Sequence, residues 1–159
     1  MAMDLDKAYC SIVNASMRVA IVLISLIGLN CRHHKVHLDL VSDLPEYFSY
    51  TFRFGTTLQS TQAKQFLLVT GRIDTTSESP PLHLAVIAVD HQNIFLRLQK
   101  AKSTTDEVNE KYSGDGYRLD LMYKEKHVPN HSPIYEGYFV VEKNDGETQY
   151  EVVGTSGNY

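Results

Sequence analysis

From position 35 onward, apolar and polar residues alternate with a period of two. In "KVHLDLV" (35–41), Val36, Leu38 and Leu40 share one face and His37 and Asp39 the other. In "YFSYTFRFGTT" (47–57), Phe48, Tyr50, Phe52 and Phe54 form one row. "KQFLLVTGRI" is a third apolar run. "LHLAVIAVD" (82–90) is apolar on both faces, as a strand covered from two sides must be. "DHQN" (90–93) breaks that run and "IFLRLQK" follows at once, which predicts a hairpin. Tyr117, Leu119, Leu121 and Tyr123 line one face of "GYRLDLMYKE". The last long run, "YFVVEKNDGETQYEVVG", is cut by Asn144-Asp145-Gly146, residues that tolerate the positive φ of a tight turn.

This pattern predicts about eight strands between 35 and 153. The polar stretch 100–112, "KAKSTTDEVNEKY", reads as a loop or one short helix. Strands without helices to cover them pack sheet on sheet. The expected fold is therefore all-β, an antiparallel β-sandwich of the jelly-roll kind. The aromatic row from Phe48 to Phe54 would face its core. A closed barrel is the competing architecture. The doubly apolar strand 82–89 counts against it, because a barrel wall facing water needs one polar face.

Composition supports this reading. The chain has 159 residues, enough for one domain with a sizeable core, and its ten Tyr and six Phe favour strands. A net charge of −4 gives no reason to expect nucleic acid or an anionic membrane as partner. The two cysteines, Cys10 and Cys31, exclude a disulfide-rich scaffold and a four-cysteine zinc site.

The N-terminal part is different. Behind Met17-Arg18 an apolar run extends from Val19 to Leu29. This is about half the roughly 20 residues that a membrane-spanning helix needs, but a fitting length for the apolar region of a secretory signal. Asp4 and Asp6 offset Lys7 upstream, so Met17 is a better start for such a signal than Met1. Residues 1–31 are read as a signal-peptide-like or anchor segment, with a buried apolar helix as the alternative. Residues 32–159 are read as the sandwich domain.

The strand order "VHLDLV", "FSYTFRFGTT", "FLLVTG", "LHLAVIAVD", "HQN", "IFLRL" resembles the laminin G-like domain, a concanavalin-type jelly roll of extracellular matrix and cell-surface proteins. Tyr117-Arg118 stands where that family usually has Trp-His, and Pro81 where it often has an acid. The resemblance implies a secreted or extracellular adhesion module that binds carbohydrate or protein through rim loops. It also implies a rim calcium ion, for which Asp74 and Glu78 are the loop carboxylates in place. A calcium ion wants six to eight oxygens, and these two supply only part of that set.

Other constellations are weaker. His33 and His37 share a strand face roughly 13 Å apart, too far for one ion. Asp106, Glu107, Glu110 and Asp115 read as an acidic connector, with a cation or glycan site as the sharper alternative. Arg97, Lys100 and Lys102, with Lys111, Lys124 and Lys126, form a loose basic patch suited to a polyanion. Tyr112 and Tyr117, with Tyr123, Tyr135 and Tyr138, offer faces for stacking on sugars or belong to the core. No nucleophile elbow or selected carboxylate pair points to an enzyme.

The function expected from sequence is a non-enzymatic extracellular module that recognises a glycan or a protein. Its binding residues would be Arg97, Lys100, Lys102, Tyr112 and Tyr117. The alternatives are a secreted β-barrel carrier of a small apolar ligand and a jelly-roll enzyme acting on polysaccharide.

Overall fold

A computed structural model describes residues 35–74, 79–128, 132–144 and 146–157. It contains eight strands: β1 (Phe48–Gly55), β2 (Leu68–Ile73), β3 (Leu82–Val89), β4 (Gln92–Ser103), β5 (Val108–Gly114), β6 (Tyr117–Lys126), β7 (Ile134–Lys143) and β8 (Gly146–Ser156). One helical turn, α1 (Leu58–Gln62), joins β1 to β2. Thr57 caps α1 by accepting from the Ser60 amide, and Ser60 accepts in return from the Thr57 amide. Each strand pairs antiparallel with the next, and β8 pairs back onto β1 from Phe52↔Ser156 to Gly55↔Val153.

The all-β antiparallel expectation holds, but the two-layer sandwich does not. Consecutive hairpins close into an eight-stranded up-and-down barrel, so every strand has a neighbour on both sides and no sheet edge remains. The segment 1–31, with its signal-like run, lies outside the described residues. Among the described residues no helix is long and apolar enough to cross a membrane.

The turns at one end follow from local sequence. Asp90 and His91 have φ of 51° and 61°, and Asp115 and Gly116 have φ of 49° and 78°. Paired positive φ values match the twist of the flanking strands, so β3–β4 and β5–β6 are joined by two-residue turns. Asn144, also at positive φ, begins the β7–β8 turn at the same end. Strands β2, β4 and β6 end at the opposite pole, which forms the mouth, while the 56–67 connection with α1 lies at the turn end.

The aromatic row of β1 is split. The register slips between Tyr50 and Phe52, which places an extra residue in the strand and reverses its facing. Phe52 and Phe54 point into the barrel. Phe48 is buried on the outer wall with Val69, Leu84 and Val86, and Tyr50 is 40% exposed.

Residues 35–47 are a strap rather than the first strand; only Asp39 makes a ladder contact, with Ala88. Val36 and Leu38 enter the interior and seal the end opposite the mouth. The Val36 amide donates to Thr148 Oγ1 (2.9 Å), and the Tyr150 hydroxyl donates to the Val36 carbonyl (2.6 Å). Further along, Val41 and Leu44 pack on the outside against the Phe48–Val86 cluster. The strap thus explains how 82–89 can be apolar on both faces inside a barrel wall. Ala85 and Ile87 face the core, while Leu84 and Val86 face the strap. Conversely, of 100–112, read from sequence as a loop or one short helix, residues 100–103 complete β4 and 108–112 begin β5.

The half of the interior nearest the strap is solid. Leu68, Ile87, Leu96, Leu119, Leu121, Phe139 and Val141 have no solvent exposure. The outer wall carries the ion pairs Lys111–Asp120, Arg118–Glu142 and Lys126–Glu136. Apolar inside and charged outside is the reverse of a lipid-facing barrel.

Gly154 lies under the Phe54 ring, and a Cβ there would overlap ring carbons. Since Phe54 is fully enclosed, it has nowhere to move. Gly154→Ala is expected to cost about 1–3 kcal/mol, measured by urea unfolding followed by circular dichroism.

Candidate functional site

The interior changes character toward the mouth. On β5, Val108, Glu110 and Tyr112 share the inward face, because Tyr112 pairs with Leu119 and Glu110 with Leu121, both core residues. A carboxylate therefore stands where strand alternation calls for an apolar side chain. Glu110 is half-buried, and its Oε2 accepts from the Tyr112 hydroxyl at 2.7 Å. Among the described residues this hydroxyl is the one donor that reaches it. Burial raises the Glu110 pKa above its ordinary value, opposed in part by the Tyr112 hydrogen bond and by His83. Burial and then the Glu110 charge push the Tyr112 and Tyr123 hydroxyls upward as well.

Above the packed half of the core sits an aromatic cluster. Ring centroids are 4.8 Å apart for Phe52–Tyr135, 5.0 Å for Phe52–Tyr123, 5.5 Å for Phe54–Tyr123 and 5.9 Å for Tyr123–Tyr135. All four pairs are tilted or edge-on contacts within the favourable range for aromatic pairs. Strands β1, β6 and β7 place these rings together because each carries an inward aromatic near the mouth.

Two clefts open beside this cluster. One, of about 640 Å³, lies between the 103–108 segment, the end of β6 and the start of β7, and reaches Tyr123 and Tyr135. Its rim loop is pinned by Thr104, whose amide donates to the Glu107 carbonyl and whose hydroxyl accepts from the Glu107 amide. The cleft carries Asp106, Glu107, Glu125 and Glu136 against Lys124 and Lys126, and Lys126 is tied to Glu136 at 2.6 Å. The other cleft, of about 590 Å³, is lined by Phe52, Arg72, His83 and Ser156 among others.

The residues singled out from sequence do not converge. Arg97, Lys100 and Lys102 lie on the outward face of β4, the last two beyond a register slip after Leu98. Tyr112 is inside, bonded to Glu110. Tyr117 is inside at the opposite end, where Lys143 Nζ donates to its hydroxyl (2.7 Å) and sits 4.3 Å from its ring centroid. Asp74 is at the mouth rim, 3.3 Å from Arg72, while Glu78 lies outside the described residues. His37 is exposed; His33 and His34 lie outside the described residues. Among the described residues no group of three potential ligands is placed to hold a metal ion.

Glu110 is the residue that sequence reasoning misplaced, as part of an acidic connector. The usable signal was Val108-x-Glu110-x-Tyr112, an alternating triplet ahead of the Asp115-Gly116 turn. No family model, curated protein or solved structure matches this chain.

Two measurements test the interior polar groups. Glu110→Gln keeps an acceptor for Tyr112 and removes the charge. The folded chain holds the Glu110 proton more tightly than the unfolded chain, so its ionisation erodes stability as pH rises from the ordinary 4.5 toward the raised value. The Gln variant should melt higher than wild type at pH 7, and the difference should vanish as pH falls below 4.5. Thr70 faces the same interior, opposite Phe52 and Ala85, and its buried Oγ1 has no hydrogen-bond partner. Thr70→Val should stabilise by about 1 kcal/mol, seen in calorimetry as a rise in Tm of roughly 2–4 °C.

Proposed function

We propose that the protein is a non-enzymatic binding protein or carrier that holds a small organic molecule in the mouth of its barrel. The carrying observation is the inward Glu110 carboxylate, set beside the aromatic cluster at the open end of a wall that is otherwise packed solid. A barrel with only a structural role gains nothing from a half-buried charge, which costs free energy unless fully satisfied. A few polar groups converging in an aromatic-lined concavity are what small-ligand sites use. Both clefts beside the aromatic cluster fall within the roughly 300–1,000 Å³ common for such sites, although Glu110 is not among the residues that line either. Loops on a rigid scaffold gather at the same end.

Recognition of a glycan or protein through rim loops, which the laminin G-like resemblance implies, has weaker support. Arg97, Lys100 and Lys102 project from the outer wall instead of the rim, and closure removes the jelly-roll frame on which that comparison rests. Export from the cell is supported by the apolar run Val19–Leu29 alone.

The neutral fluorophore N-phenyl-1-naphthylamine tests the reading. Saturable fluorescence enhancement with one site per chain is expected. Ala101 pairs with Glu110 and so shares its inward facing on β4; Ala101→Trp should weaken uptake by about tenfold or more, the order of several blocked apolar contacts. A folded wild-type protein that shows no saturable enhancement would count decisively against a mouth site.

A further inference from the structure

We propose that the mouth selects a protonated organic amine with an apolar or aromatic body, its ammonium group seated between the Glu110 carboxylate and the Phe52–Tyr123–Tyr135 rings. This rests on the small-ligand reading above and specifies the ligand's charge. Three independent features point to a cation.

The first is the unmet demand of Glu110. A carboxylate accepts hydrogen bonds from about four directions, and Tyr112 fills one of them. The groups that face Glu110 are Tyr112 on its own strand, Tyr123 on β6 and His83 on β3; Ala101 is its partner on β4. None is a permanent cation. An ammonium ion would supply both the missing donors and the missing charge.

The second is the aromatic cluster. Ring faces attract cations within about 6 Å of their centroids, and an ammonium gripped by several rings is a recurrent recognition device. The molecule already uses this contact internally, where Lys143 sits over Tyr117.

The third is the approach. The larger cleft has four carboxylates against two lysines, one of which is engaged by Glu136. Glu125 pairs with Tyr135 two positions beyond the inward Tyr123, so it faces inward at the rim. The inward charges of β5 and β6 are thus both negative. Such a cleft concentrates cations at its opening. Arg72 lines the other cleft and already meets Asp74, while His83, which also lines that cleft, is the one basic group that faces Glu110.

Tryptamine, tryptophol and indole-3-propionate share one apolar body and carry a positive, neutral and negative tail. Calorimetric titration of the folded protein at pH 7 should give tryptamine an affinity at least about tenfold above tryptophol, with indole-3-propionate weakest. Glu110→Gln should bring tryptamine down to the level of tryptophol and leave tryptophol within about twofold of wild type. Glu125→Gln, at an exposed position where folding is not in question, should reduce the tryptamine preference by about twofold to threefold. Lowering pH should erode that preference in wild type, as Glu110 becomes protonated. Equal binding of tryptamine and tryptophol would overturn the amine assignment and leave the mouth site standing. Tightest binding by indole-3-propionate would overturn it in favour of the Arg72–His83 cleft. Failure of all three indoles, with N-phenyl-1-naphthylamine still bound, would also overturn it. Failure of that fluorophore too would remove both readings.

Discussion

The pairing of β8 with β1 is the constraint on which the rest depends. Four residue pairs, from Phe52↔Ser156 to Gly55↔Val153, turn a linear meander into a closed wall. Closure fixes an inside. It decides that Phe54, Leu96, Leu119 and Phe139 meet at one axis, although they come from four different strands. It also decides that Glu110, an unremarkable residue on a flat sheet facing water, is instead taken halfway out of solvent. The close approach of Phe54 to Gly154 sits at this seam, so the closing contact is itself sensitive to a single added methyl.

The two poles of the interior handle polar groups differently. At the strap end, Lys143 and Tyr117 satisfy each other, and Tyr150 is bound to the Val36 carbonyl. These contacts finish a seal. At the mouth, Glu110 has one donor and Thr70 none. Natural interiors leave few buried polar atoms unpaired, and those that remain call for an explanation. Thr70 Oγ1, on the wall of the half that opens toward the mouth, is one such atom.

Much of this fold was legible in period-two patterning, and the failures have physical causes. The strands Phe48–Gly55, Leu82–Val89 and Tyr117–Lys126 follow from alternation and from the turns that bound them. The reading of Phe48 to Phe54 as one face failed because alternation carries no mark of an extra residue; the slip at Thr51 flips the row midway. The choice of sandwich over barrel failed because Leu84 and Val86 looked like evidence for a second sheet, whereas a strap of thirteen residues, 35–47, supplies the cover. Alternation gives the spacing of buried rows, not the identity of what buries them. Glu110 was passed over because a lone acid among Asp106, Glu107 and Asp115 reads as solvated until the register with Leu121 is known.

The seam between the first and last strands has a further consequence for biosynthesis. Phe52 and Ser156 are separated by nearly the whole described chain, so their pairing is the least local contact in the wall. Contacts of such long sequence separation form late and slowly. A ribosome adding residues in order would hold β1 with one unpaired edge until the residues of β8 have left the exit tunnel. During that interval the growing chain is an open, curved sheet with free amides on two rims, the condition under which nascent proteins stick to one another. Chaperone demand should therefore be concentrated in the interval before β8 emerges.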